Sequence, residues 1–150
     1  MLEATLAYAH LIAILTWVVF IGSSTALTRA EWLNAAALAR LARVDRLAAV
    51  GAVAVLVTGA ARVAWGAKGP AWYLDQPLLW GKFALWLLMV AGGASASRRI
   101  QRWQRHSAGG GGLPAAQEVA AVRRRLMAAS HLLLVVPVLA VLLARGIAVR

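Results

Sequence analysis

Four long apolar stretches, separated by polar segments, dominate the sequence. They cover roughly residues 5–27, 47–65, 78–96 and 127–145. A helix needs about 20 predominantly apolar residues to cross the hydrocarbon core of a bilayer, and each stretch comes close to or exceeds that length. The pattern predicts an all-α integral membrane protein, a four-helix bundle forming a single membrane domain. Pro137 lies inside the fourth stretch, where it removes a hydrogen-bond donor and predicts a kink.

The polar segments predict how the spans are connected. In "TRAEWLNAAALARLARVDR", arginines are interleaved with an apolar set formed by Trp32, Leu38, Leu41 and Val44. This pattern is typical of a short amphipathic helix at the membrane surface, between the first two spans. Asp45 is expected to pair with Arg43 and Arg46 at the start of the second span. The stretch "HSAGGGGLP", residues 106–114, is expected to be a flexible connector.

Composition supports the membrane class. The chain is 62% hydrophobic and 14% charged, with a mean hydropathy of +0.73, whereas soluble domains are about 45–50% apolar and about 25% charged. It contains no cysteine, which excludes disulfides, thiolate metal sites and a cysteine nucleophile. The formal net charge is +11, but the basic residues lie between apolar stretches. We therefore expect no nucleic-acid partner.

The distribution of basic residues predicts the orientation. The first loop contains Arg29, Arg40, Arg43 and Arg46. The third contains Arg98, Arg99, Arg102, Arg105, Arg123, Arg124 and Arg125. The second loop has Lys68, with Asp75 nearby. The positive-inside rule places loops one and three in the cytoplasm of a bacterial inner membrane and both termini outside. Anionic lipid headgroups at the inner face are the expected partners.

Three ionisable residues from different spans are expected at one depth. At about 1.5 Å per residue, His10, Arg62 and Lys82 lie about 8, 5 and 6 Å from the outer ends of spans one, two and three. Ionisable groups within a membrane usually face the bundle interior and mark functional sites. Other readings remain open: Arg62 and Lys82 can snorkel to the interface, and a lone histidine is commonly a packed, hydrogen-bonded residue.

A second set of candidates lies elsewhere in the spans. His131 is near the opposite end of the bundle from His10, so the two histidines cannot ligate one haem iron. For a haem ligated by one histidine, Met89 and Met127 are the candidates for the second axial ligand of the iron. Packing is the commoner role of methionine. The sequence contains no nucleophile–base pair, phosphate-binding loop or metal motif, so the chain's catalytic residues, if any, are unknown.

Several stretches resemble a known family. The segments "AYAHLIAILTW", "RVDRLAAVGAVAVLVTGAARVAWGAKGPAWYLDQPLLWGKFALW" and "LLARGI" are similar to the uncharacterised bacterial membrane family known as domain of unknown function 2214. The resemblance covers nearly the whole chain and is most specific in "RVAWGAKGPAWYLDQPLLWGK", residues 62–82. That family usually has an acidic residue at the end of span one and another at the start of span four. Here these regions read "GSSTALTR" and "AASHLLL", and His131 stands where glutamate is common.

A more remote resemblance rests on two short motifs. A histidine in the first helix and "W-x-K" in the third are similar to HemJ-type protoporphyrinogen oxidases and CopD-like copper-resistance membrane proteins. The resemblance implies that His10 is a ligand of haem b. It also implies that Lys82 pairs with a propionate or a substrate carboxylate.

Three hypotheses for the function follow. The leading one is a membrane protein that binds haem b or a porphyrin in a redox role, with His10 on the iron and Lys82 and Arg62 as cationic partners; His131 and Met89 are second-tier candidates. The second is a non-catalytic accessory subunit of a larger membrane complex or a homo-oligomer. The third, a small transporter or copper-handling protein, is disfavoured because cysteines and intramembrane carboxylates are absent.

Overall fold

The structure, a computed structural model, describes residues 1–145. Its elements are the helices α1 Leu2–Leu27, α2 Ala35–Trp65, α3 Gly69–Leu74, α4 Pro77–Ala108, α5 Ala116–Leu132 and α6 Val135–Ala144, with a 3-10 turn at Ala30–Trp32. Segments long and apolar enough to span a membrane are Leu2–Leu27, Ala35–Trp65, Pro77–Ala108 and Ala116–Leu142. The prediction of an all-α protein with four spans is confirmed. The predicted external C-terminus and the end of the "LLARGI" stretch lie outside the described residues.

The second helix is longer than the apolar pattern predicts. It begins at Ala35, after Asn34 accepts a hydrogen bond from the Ala37 amide (2.8 Å), and runs unbroken to Trp65. Residues 35–46 of the segment expected to form a separate surface helix are therefore the first part of α2, whereas Trp32 lies in the 3-10 turn before it. Residues 35–50 contain neither glycine nor proline and are rich in alanine, leucine and arginine, so nothing in the sequence stops the helix.

This first part of α2 packs one face against other helices. Its side chains Leu38 and Leu41 are completely buried. They belong to a core contributed by α2, α4, α5 and the segment after α1: Leu33, Leu38, Leu41, Ala42, Ala96, Ile100, Trp103, Val119, Val122 and Leu126. A helix of 32 residues such as α4 is about 48 Å long, more than the roughly 30 Å hydrocarbon core. The three helices therefore continue beyond the apolar region as a packed bundle, called here the arginine end (residues 29–46 and 98–125).

A second core joins the helices within the apolar region. It consists of Trp17, Ile21, Ala48, Ala52, Met89, Ala129 and Leu133. The indole N–H of Trp86 donates to the carbonyl of Ala52 (3.2 Å), which adds a hydrogen bond between α4 and α2. Because this core includes residues of α1, α2, α4 and α5, it sets the relative positions of the spans that carry His10, Arg62 and Lys82.

The fourth span is broken, as Pro137 predicts. Helix α5 ends at Leu132 and α6 begins at Val135. Proline has no N–H, so residue 137 cannot donate to the carbonyl four residues earlier, that of Leu133. Ala140 of α6 lines the cavity described below.

The predicted pairing of Asp45 with Arg43 and Arg46 is wrong. Asp45 is 5% exposed and accepts hydrogen bonds from Ser97 Oγ (2.6 Å) and Gln101 Nε2 (3.0 Å), both on α4. The two arginines are exposed. Side chains one or two positions apart on a helix point to different faces, so neighbours in sequence are not partners in space.

A polar cavity between five helices

A cavity of about 280 Å³ lies at the end of the bundle where α1 begins and α2 ends. Helices α1, α2, α4 and α6 contribute to its wall, together with α3 and the turn before it. The lining residues are Glu3, His10, Gly59, Arg62, Val63, Lys68, Trp72, Tyr73, Leu79, Lys82 and Ala140. We call this the polar cavity. Its lining combines charged side chains with apolar ones.

The structure brings together the three residues singled out by depth. His10 comes from α1, Arg62 from α2 and Lys82 from α4, and all three are half-buried in the wall of the polar cavity. Glu3 and Lys68 also line it, and neither was among the residues predicted from depth along the spans. A signal for Glu3 was present, since it precedes His10 by seven residues, or two helical turns, and so shares its face of α1.

A hydrogen bond to Thr58 orients the imidazole of His10. Its Nδ1 lies 2.8 Å from the Thr58 hydroxyl oxygen, and that hydroxyl donates to the carbonyl of Ala54 (2.7 Å). A hydroxyl carries one hydrogen, so with its hydrogen on Ala54 it accepts from the Nδ1–H of His10. In the neutral ring this leaves Nε2 with its lone pair. Gly59 lies alongside, where a β-carbon would be 3.3 Å from Cε1 of the ring.

Glu3 ties three segments together at the rim of the polar cavity. One carboxylate oxygen lies 3.4 Å from Nη2 of Arg62, and the other accepts the backbone N–H of Ala67 at 2.8 Å. The start of α1 is thereby joined to the last turn of α2 and to the turn that leads into α3. Beside this contact, the Lys68 ammonium lies 3.8 Å from the centre of the Trp72 ring, a cation–π geometry.

The charges in the polar cavity do not balance. Three fixed cations line it, Arg62, Lys68 and Lys82, against the single carboxylate of Glu3. Within residues 1–145, the only ion pair is that between Arg62 and Glu3. Neither lysine has a carboxylate partner in that part of the chain. A concave site lined by charge of one sign concentrates ligands of the opposite sign, so the arrangement favours an anion.

The second-tier candidates lie away from the polar cavity. Met89 is 2% exposed and packs in the core with Trp17, which accounts for it as a packing residue. His131 is exposed, and its Nδ1 donates to the carbonyl of Met127 (2.7 Å), one turn earlier on α5. Neither side chain lines the wall that His10 shares with Lys82.

The side chains of the polar cavity are a poor set of ligands for a metal ion alone. Among the described residues, no group of three or more histidine, cysteine, aspartate or glutamate side chains could hold a metal ion. The polar cavity offers one imidazole surrounded by cations, which repel a bare metal ion. The same set is compatible with a metal inside an anionic macrocycle, since His10 can ligate and the cations can meet carboxylates. The volume is small for such a group, since cavities for drug-sized ligands span about 300–1,000 Å³.

The comparisons with known proteins place the chain among membrane proteins. Residues 2–148 match the family described as "Predicted membrane protein (DUF2214)". No curated protein matches the chain, and no solved structure does. The more remote resemblance to HemJ-type and CopD-like proteins finds no support among these comparisons.

Proposed function

The chain belongs to the DUF2214 family of predicted membrane proteins, and we propose that it binds a small organic anion in the polar cavity. The observation that carries the proposal is the convergence of Arg62, Lys68 and Lys82 on a cavity with one carboxylate, Glu3. Ionisable side chains near a membrane interface can reach water by snorkelling. Here they line a shared cavity from three different elements, which supports a common ligand.

Each part of the wall has a role in this proposal. Lys82 on α4 is the cation to which the anionic group binds, because it is half-buried and has no carboxylate partner in the described part of the chain. His10 presents Nε2 as a hydrogen-bonding group, held in place by Thr58. Val63, Leu79 and Ala140 give an apolar wall for the body of the ligand. The preferred ligand is therefore a carboxylate with a compact apolar part.

The orientation of the chain is part of the proposal. The arginine end carries most of the net charge, which supports placing it in the cytoplasm by the positive-inside rule. With that orientation, the polar cavity lies at the outer face of a bacterial inner membrane. Exposed arginines close to the inner leaflet, such as Arg46 and Arg98, would contact anionic lipid headgroups.

A second candidate ligand is haem b, and the geometry of His10 favours it. Histidines that ligate metals generally donate their other ring N–H to a fixed acceptor, and His10 donates Nδ1–H to Thr58. In this proposal Nε2 of His10 would ligate the iron, and Lys82 and Arg62 would neutralise the propionates. A bound haem would supply redox chemistry at its iron. The small volume of the polar cavity favours the first candidate over this one.

Titration calorimetry tests the anion proposal. Benzoate is titrated into the full chain, purified in mild detergent, and into two variants. Saturable binding is expected for the unmodified chain, weakened about tenfold or more in Lys82→Met, which corresponds to about 1.4 kcal/mol. Arg124→Met is the matched control, because it removes one positive charge from an exposed position at the arginine end. Equal affinities for the unmodified chain and Lys82→Met would contradict the proposal.

An absorption spectrum of the same preparation distinguishes the second candidate. A Soret band that is lost in His10→Ala but kept in His131→Ala would establish haem ligation by His10. A colourless protein that binds benzoate would contradict the haem proposal and support the anion proposal. Each of the two variants removes one imidazole. Of the two, only the imidazole of His10 lines the polar cavity.

A further inference from the structure

We propose that the ligand of the polar cavity is a short dicarboxylate, an inference that rests on the anion site proposed above. The charges of the cavity lead to it. Arg62, Lys68 and Lys82 contribute three positive charges and Glu3 one negative charge, which leaves a formal excess of two when His10 is counted as neutral. A ligand with two negative charges neutralises the site.

The two lysines differ in burial, and so do the contacts that a ligand would make with them. Lys82 is half-buried on a helix that crosses the apolar region, where an unpaired charge is costly and screening by salt is weaker than at an open surface. Lys68 is exposed, so a carboxylate gains less from its contact with it. A monocarboxylate at Lys82 would leave Lys68 unneutralised. A dicarboxylate would leave neither.

Glu3 does not form an ion pair with either lysine, so the excess positive charge of the cavity remains. Its two oxygens are both engaged, one with the Arg62 guanidinium and one with the Ala67 amide. The second of these bonds is to backbone, at 2.8 Å, and it holds the carboxylate on the α2 side of the rim. The cations available to a ligand are therefore the two lysines.

The two lysines approach the cavity from separate elements. Lys82 belongs to the second turn of α4, and Lys68 precedes α3, with its ammonium over the Trp72 ring at 3.8 Å. The two carboxylates of a short dicarboxylate can each bind one lysine ammonium. A single phosphate would bind both lysines only if the two ammonium groups came together around it. A volume of about 280 Å³ equals that of about nine water molecules at roughly 30 Å³ each, which suits a short ligand.

Succinate and butyrate provide the test, since both have four carbons and differ by one carboxylate. Each is titrated calorimetrically into the full chain in mild detergent at pH 8, where both acids are ionised. We expect succinate to bind about threefold to fivefold more tightly than butyrate, the gain from one added ionic contact at an exposed lysine. In Lys68→Met this ratio should fall to about one, with butyrate still bound at Lys82. The exposed position of Lys68 means that this variant does not disturb a packed core.

The outcomes separate the two proposals. Butyrate binding as tight as succinate binding in the unmodified chain would overturn the dicarboxylate while the anion site remained. Phenyl phosphate binding without succinate binding would overturn it too, in favour of a phosphate ligand. Binding of neither acid and no phenyl phosphate to the unmodified chain would contradict the anion site itself. Arg124→Met is expected to keep the ratio of the unmodified chain, and a ratio reduced equally in this control would show that general charge, and not Lys68, sets the preference.

Discussion

Gly51 of α2 lies directly against Trp17 of α1: a β-carbon at residue 51 would be 3.0 Å from the Trp17 Cα. That neighbour is a backbone atom, so no change of rotamer relieves the contact. Trp17 is itself buried in the core between the spans. The pair therefore sets the separation of α1 and α2, the two helices that bring His10 and Arg62 to the polar cavity.

This contact predicts an unusual effect of alanine. Gly51→Ala should lower the free energy of unfolding by about 1–3 kcal/mol, as overpacking in a core does, although alanine is the better helix former. Gly22→Ala on α1 is the control, because a β-carbon there meets nothing within 4 Å. Thermal denaturation in one detergent compares the two. Equal melting temperatures would show that α1 and α2 are not in close contact at Gly51.

The hydrogen bond between His10 and Thr58 predicts a difference between two conservative variants. Thr58→Ser keeps the hydroxyl, so His10 should retain its proton on Nδ1. Thr58→Val removes the acceptor, which should mix the tautomers and lower the free energy of unfolding by about 1 kcal/mol. Nitrogen-15 NMR of histidine-labelled protein reports the tautomer, with His10→Ala to assign the signal. A spectrum unchanged by Thr58→Val is incompatible with this bond.

Asp45 is predicted to act as a buried acceptor between α2 and α4. Asp45→Ala leaves the Ser97 hydroxyl and Gln101 amide without this partner and should cost about 1–3 kcal/mol of stability. Asp45→Asn keeps one acceptor oxygen and should cost less. Asp75→Ala, at an exposed position in the turn after α3, serves as the control in the same thermal denaturation series. A loss no larger for Asp45→Ala than for Asp75→Ala would contradict the assigned role.

Cysteine labelling can test the extension of α2. The chain has no cysteine, so each introduced thiol reports alone. Leu38 is completely buried against α4 and α5, whereas Arg40 is exposed. A cysteine at position 40 should react readily with a water-soluble maleimide, and one at position 38 should react only after denaturation. Rapid reaction of the Leu38→Cys thiol with a lipid-soluble maleimide would instead support a helix lying on the membrane surface.

The spans could be predicted from sequence because a bilayer imposes one simple requirement on a helix, a length of apolar side chains. The extension of α2 could not. An alternation of arginine with leucine at helical spacing suits a helix on lipid and a helix on protein equally well. The residues that decide between them, such as Ile100 and Val122, are more than 50 positions away in the chain.

The candidate site was predicted in part for a related reason. Depth along each span brings His10, Arg62 and Lys82 to one level without any knowledge of packing. Lys68 lies in a turn, and its place at the cavity depends on how α3 folds back. The partner of Asp45 depends on which face of α2 meets α4. The position of Lys68 and the partner of Asp45 both depend on contacts between helices. The order of residues within one helix does not determine these contacts.

The most direct test of the anion site is to locate a bound anion. An experimental structure determined with 4-bromobenzoate would place the bromine by its anomalous scattering, in the unmodified chain and in Lys82→Met. We predict one bromine in the polar cavity, with the carboxylate at Lys82, and a strongly reduced peak in the variant. A bromine bound elsewhere, or a cavity peak of equal height in Lys82→Met, would contradict an anion site at Lys82.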